Sequence, residues 1–142
     1  MSTSLPPSYG PPISLADAKR VMAAAEAEAE RQGWPMVIAI MDSTGHLRML
    51  HRMDQAQYAS VELAQAKAST ALDFRRPTKV FEEMVAAGGQ GVRLLSVPNM
   101  LLLEGGMPIM VGGQVVGSIG VSGMQSAQDA QVAKAGVAVL DE

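Results

Sequence analysis

Residues Met100–Gly123, MLLLEGGMPIMVGGQVVGSIGVSG, decide the fold. Met100–Glu104 is a short apolar run that stops at Gly105-Gly106. Met107–Val111 is a second run, Gly112-Gly113 supplies a two-residue hairpin turn, and Gln114–Val121 is a third run. Strands joined by turns this short run antiparallel, because a parallel crossover needs about a dozen residues or more. The stretch predicts a three-stranded meander.

Downstream, Ser126 followed three residues later by Asp129 marks a helix start, and the helix is expected over Ala127–Leu140. Upstream, Met36–Met41 and His46–Arg52 flank Asp42-Ser43-Thr44-Gly45, which has the residue order of a type I turn. A second hairpin is expected there. His46 and His51 are an odd number of residues apart on its second strand, so they face opposite ways and do not chelate one ion together. The chain's first helix starts at Ser14 with Asp17 behind it. Leu15, Ala18, Val21, Met22, Ala25 and Ala29 recur at helical spacing until Gly33. Glu26, Glu28 and Glu30 lie off that stripe and are expected to face water.

Tyr58–Phe74 is an Ala-rich helix. Val61, Ala64, Ala68, Ala71 and Leu72 form its apolar stripe, and Glu62, Ser69 and Asp73 lie to one side. Lys67 joins neither group. At 100° per residue it falls with Leu63, Thr70 and Phe74. Such a lysine snorkels past apolar neighbours, crosses an oligomer interface, or points into a ligand site. Arg75-Arg76-Pro77-Thr78 ends this helix, and a short helix Lys79–Ala87 follows, stopped by Gly88-Gly89. The order is helix, hairpin, two helices, meander, helix. It predicts an α+β domain with a five-stranded antiparallel sheet and helices packed on it.

The length of 142 residues suits one domain, and 48% hydrophobic residues suffice for a core. With 4% aromatics and 11 methionines that core is aliphatic. A net charge of −3 and no basic run exclude a nucleic-acid surface. The absence of cysteine removes disulfides, thiolate nucleophiles and Cys-based zinc sites. No apolar run is long enough to span a bilayer, and residues 1–12, MSTSLPPSYGPP, lack the basic start and apolar segment of a signal peptide. They are expected to be a flexible arm ahead of a single domain over residues 13–142, and the protein is expected in the cytoplasm.

Gly105, Gly106, Gly117, Gly120 and Gly123 match neither nucleotide-binding glycine motif. Glycines in strands mark bulges, or a close approach by a ligand or another backbone. The loop Val121–Ser126, ahead of a helix, could receive an anion. Glu104 is the only acidic residue between Glu83 and Asp129. It could serve as a general base, as a partner for Lys67 or Arg75, or as a strand-end charge in water. Ser122 sits in Val-Ser-Gly, outside a nucleophile elbow, and no zinc-ligand cluster is present.

Six segments occur in a telling order: Val37–Asp42, Arg52-Met53-Asp54, Ala64–Ala68, Arg76-Pro77-Thr78, Glu104–Ile109 and Gly117–Gly123. Together they resemble the GlcG/HbpS family of haem-binding and haem-degrading domains, which includes the C-terminal domain of PduO-type proteins. The resemblance covers roughly residues 13–140. It implies a profilin-like α-β-β-α-α-β-β-β-α fold and homo-oligomers, dimers assembling to octamers. It also implies binding of haem, a corrinoid or another small anionic molecule. Carried over, the pocket gathers Lys67, Glu104, Gly105, Gly106, Gly120, Ser122 and Gly123, with Asp54 and Arg76 near its rim. Two functions fit these residues. One is a binding module for haem or a small carboxylate. The other is a metal-independent lyase, hydratase or isomerase in which Lys67 neutralises a substrate carboxylate and Glu104 moves the proton.

Overall fold

The structure, a computed structural model, describes residues 5–141. Its elements are α1 (Leu15–Gln32), β1 (Val37–Asp42), β2 (Leu47–Arg52), α2 (Ser60–Phe74), α3 (Thr78–Ala86), β3 (Gly106–Val111), β4 (Gln114–Ser122) and α4 (Ser126–Ala138), with a 3₁₀ turn over Gly89–Ser96. The four strands form one sheet in the order β2-β1-β4-β3, every neighbouring pair antiparallel. The fold is α+β, an antiparallel sheet flanked by helices.

Pleating sorts the side chains of the central strand β1. Ile38 and Ile40 join Val21, Met22 and Ala25 of α1 and Val132 and Ala133 of α4. Val37 and Ala39 face the other way and meet Ala64 of α2. The sheet is thus sandwiched between α1 with α4 and α2. Burial on both faces explains why β1 is a continuous apolar run.

The fifth strand expected over Met100–Glu104 does not form. Its backbone donors go to helix side chains: Leu101 N donates to Thr70 Oγ1 (3.0 Å) and Glu104 N to Glu82 Oε1 (3.3 Å). With those groups satisfied by α2 and α3, the segment packs as irregular chain. Glu28, expected in water, is 9% exposed. It accepts from Gln131 of α4 (2.7 Å), Gln32 (3.2 Å) and Arg31. These bonds, Gln131 foremost, hold its carboxyl below the ordinary value.

The Pro-rich segment expected as a mobile arm is bonded to β4 over residues 8–13: Val115 N donates to Ser8 O, Gly10 N to Val115 O and Ile13 N to Val116 O (2.8, 2.8 and 2.9 Å). The Tyr9 hydroxyl donates to Leu72 O (2.7 Å), and the Arg75 guanidinium lies 5.1 Å from the Tyr9 ring centre. Residues 1–4 lie outside the described chain. No helix among the described residues is long and apolar enough to cross a membrane.

The β1–β2 turn is closed by Asp42, whose Oδ1 accepts from Thr44 N (2.9 Å), Thr44 Oγ1 (2.5 Å) and His46 N (3.4 Å). Burial pushes this carboxyl up, but the Thr44 and His46 bonds and the Arg48 charge outweigh it, so the group titrates below the ordinary aspartate value. A lowered carboxylate stabilises the fold above the unfolded-state pKa, and that stabilisation is lost as pH falls through the folded-state value. Asp42→Asn is expected to lower stability near pH 7 by about 1–2 kcal/mol and to flatten the acid limb. Urea unfolding from pH 7 down to pH 3 checks this; an unchanged acid limb would contradict it.

Candidate functional site

Lys67 is carried inward by α2 and is 2% exposed. Its Nζ donates to Val121 O and to Asp129 Oδ2, each at 2.9 Å. Asp129 stands in the first turn of α4, and its Oδ1 accepts from Met124 N (2.9 Å). The ion pair therefore joins the α2 layer to the α4 layer across the end of the sheet where β4 finishes and β3 begins. Burial pushes the Asp129 carboxyl above its ordinary value against the opposing hydrogen bond and charge of Lys67.

Gly105 makes room for the pair. A Cβ there would stand 2.9 Å from Lys67 Nζ and 2.7 Å from Val121 O, and its φ of +132° already favours glycine. The next glycines admit α2 itself. A Cβ on Gly106 would meet Lys67 O at 2.3 Å, and one on Gly120 would meet Ala64 O at 1.9 Å. These two residues are paired across β3 and β4, so the helix backbone rests on a bare patch of sheet. Ser118 Oγ donates to Ala68 O (2.7 Å), Ser122 Oγ to Ser60 Oγ (3.0 Å) and Gly106 N to Thr78 Oγ1 (2.9 Å). Gly123 backs onto Pro35 O.

The expected pocket residues thus divide. Lys67 and Gly105 meet around Asp129, with Gly106, Gly120 and Ser122 packed beside α2. Glu104 is half-buried next to Glu82. Asp54 and Arg76 are exposed, and no hydrogen bond or ion pair joins their side chains to the cluster among the described residues. Sequence reasoning read Asp129 only as a helix-start acid and missed it as the partner of Lys67. The available signal was that Asp129 is the next carboxylate along the chain after Glu104.

The open space lies elsewhere. Residues 52–58, the loop from β2 to α2, line a hollow of about 710 Å³. Met53 N is tied to Met36 O (2.9 Å), and Gln55 has a left-handed φ of +69°, an uncommon conformation for a residue with a side chain. The side chains of Arg52, Asp54 and Tyr58 are exposed and make no hydrogen bond or ion pair among the described residues; Tyr58 is 85% exposed. An adjoining hollow of about 300 Å³ shares Met53, Asp54 and Gln55 and adds Trp34 and Pro35. A third, apolar one of about 550 Å³ lies between Val85 and Leu95 and the segment 100–103. The histidines are apart: His46 Nδ1 meets Thr44 Oγ1 (2.8 Å), and His51 Nδ1 pairs with Glu26.

Residues 13–138 match the family described as haem-degrading protein HbpS-like. The chain is 46% identical to protein GlcG of Escherichia coli over 110 residues, 78% of this chain and 81% of that protein. Its fold superposes on HbpS with a TM-score of 0.83 at 33% identity, covering 94% of this chain and 93% of that one. It superposes on PduOC, solved as a haem complex, with a TM-score of 0.82 at 26% identity, covering 92% and 96%.

Removing one member of a buried ion pair strands the other charge, at a cost of about 3–5 kcal/mol. Lys67→Met is expected to lose stability in that range at neutral pH and to regain part of it when Asp129→Asn is added. A double-mutant cycle by urea denaturation measures the coupling. Additive losses would show that the two groups do not interact.

Proposed function

Because the chain belongs to the HbpS-like family, we propose that it is a binding protein for a small anionic molecule, with haem, a carboxylate-bearing tetrapyrrole, as the first candidate and a corrinoid as a related one. The supporting observation is the contrast between two regions. The Lys67 amine is already held by Val121 O and Asp129, while the loop 52–58 leaves charged and aromatic groups without hydrogen-bond or ion-pair partners among the described residues, around an open hollow. An arrangement with its groups unspent at the surface is suited to capture.

The loop offers an anionic molecule polar groups beside an open hollow. A volume of about 710 Å³ falls within the range of about 300–1,000 Å³ usual for ligand sites. Arg52 offers a planar guanidinium for a propionate. Haem would bring a Lewis-acidic, redox-active iron. On the same reading Asp54 sets charge at the edge of the hollow, and Gly105, Gly106 and Gly120, with Ser122 and Gly123, hold the packing around α2. The protein would work in the cytoplasm as a homo-oligomer, a dimer assembling to an octamer, on a profilin-like scaffold.

A second reading has one observation in its favour: a buried amine beside a carboxylate whose titration is displaced upward, the kind of perturbed pair found at catalytic sites. In it Lys67 holds a substrate carboxylate and Glu104 moves a proton, as in a lyase, hydratase or isomerase. Glu104→Gln would then abolish turnover of a small carboxylic acid with folding intact.

Titration of the full chain with hemin tests the binding reading. A saturable shift of the Soret band at micromolar protein is expected. A spectrum equal to the sum of free hemin and protein would overturn it.

A further inference from the structure

We infer that a second copy of this chain covers the apolar hollow beside α3, each copy's Leu95 entering the hollow of the other across a twofold axis; the inference rests on the homo-oligomer reading above and names its contact. Six of the thirteen large hydrophobic side chains left exposed among the described residues fall within residues 80–103. No residue of the 3₁₀ turn Gly89–Ser96 is buried, although it carries Val92, Leu94 and Leu95. The hollow of about 550 Å³ lies within this segment, walled by Val85, Ala86 and Leu95 and by Met100–Leu103. Leu95, at 65%, is the most exposed large hydrophobic side chain of the wall. A monomer seldom leaves so much apolar surface together in water.

The surface is preformed. A Cβ on Gly91 would stand 2.0 Å from Met84 O, so the 3₁₀ turn lies directly on α3. Gly88 and Gly89, at φ of +74° and +61°, make the reversal between them. On the other wall, Leu101 N and Glu104 N are held by Thr70 and Glu82. A surface fixed in this way loses little freedom when it docks.

The charges at the rim identify the occupant. Glu82 is the one charged side chain lining the hollow, and its carboxylate already accepts from Glu104 N, so little is left to orient a polar small molecule. A lipid surface favours lysine and arginine around an apolar face. Here the hollow has Glu82, and Glu104 follows its last lining residue, Leu103. Arg93, two residues before Leu95, is exposed. None of these three charges makes an ion pair among the described residues. Carboxylates on one wall and a guanidinium on the other are self-complementary. A twofold contact brings each arginine to the carboxylates of the other copy, and the reverse, around a shared apolar centre. Such a centre with an arginine beside it is the usual make-up of a stable interface.

Sedimentation velocity of the full chain across a range of concentrations supplies the test. Wild type is expected to be larger than one chain at micromolar protein. Leu95→Glu would put a carboxylate into the hollow beside the partner's Glu82 and should weaken association about tenfold or more. Arg93→Glu should weaken it several-fold, and less so at high salt. Both side chains are exposed in the single chain, so the variants retain the fold, which circular dichroism checks. The chain has no cysteine, so Leu95→Cys introduces a single thiol. Its maleimide labelling should be slow in the assembled protein and fast after dilution to single chains. If wild type is a single chain at every concentration, the inference and the homo-oligomer reading fall together. If wild type assembles and either charged variant associates as tightly, or the thiol at 95 labels freely in the assembly, the inference falls and the homo-oligomer reading stands.

Discussion

An ammonium group with almost no contact with water ties this molecule together. Lys67 leaves α2, passes Gly105 and ends on a carboxylate of α4. Taking both charges out of water costs several kcal/mol per ion, which their attraction offsets only when the geometry is good and the remaining groups are bonded. Both conditions hold: Val121 O accepts from a second N–H of the ammonium, and Met124 N donates to the far oxygen of Asp129. The elements that supply these groups are thereby placed relative to one another.

The close seat of α2 follows from the same neighbourhood. Helices ordinarily stand off a sheet by the thickness of two side-chain layers. Here two cross-strand glycines remove one layer, and the helix carbonyls of Ala64 and Lys67 lie where their Cβ atoms would be. Ser118 then bonds across the gap with a single hydroxyl, and Thr78 at the start of α3 accepts from Gly106 N beside it. This closeness brings Lys67 far enough in to reach α4, and it fills the space beneath the helix with backbone. An open hollow lies instead on the flanking loop after β2, where the chain turns away from the sheet before entering α2.

Much of this was legible in the residues. Turn chemistry at Asp42–Gly45 and Gly112-Gly113 located both hairpins, and the displaced stripe on α2 marked Lys67 as a residue turned from solvent. Glycines as seats for another backbone were one of the alternatives, and Gly106 and Gly120 have that role. The partner on α4 could not be read, because it depends on elements 62 residues apart meeting over the end of a sheet. Nor could Met100–Glu104: a short apolar run fits a strand or packed coil equally, and distant Thr70 and Glu82 decide the outcome. Glu28 misled for a similar reason, since only its neighbour Gln131 on another helix shows why it is covered.

Amine-acylation footprinting of the native protein, read by mass spectrometry, tests the central claim most directly. The chain has four lysines, of which Lys19, Lys79 and Lys134 are exposed. Those three are expected to react at the rate of free surface amines, and Lys67 only after the protein unfolds. Labelling of Lys67 in the folded protein at the rate of the other three would contradict the account.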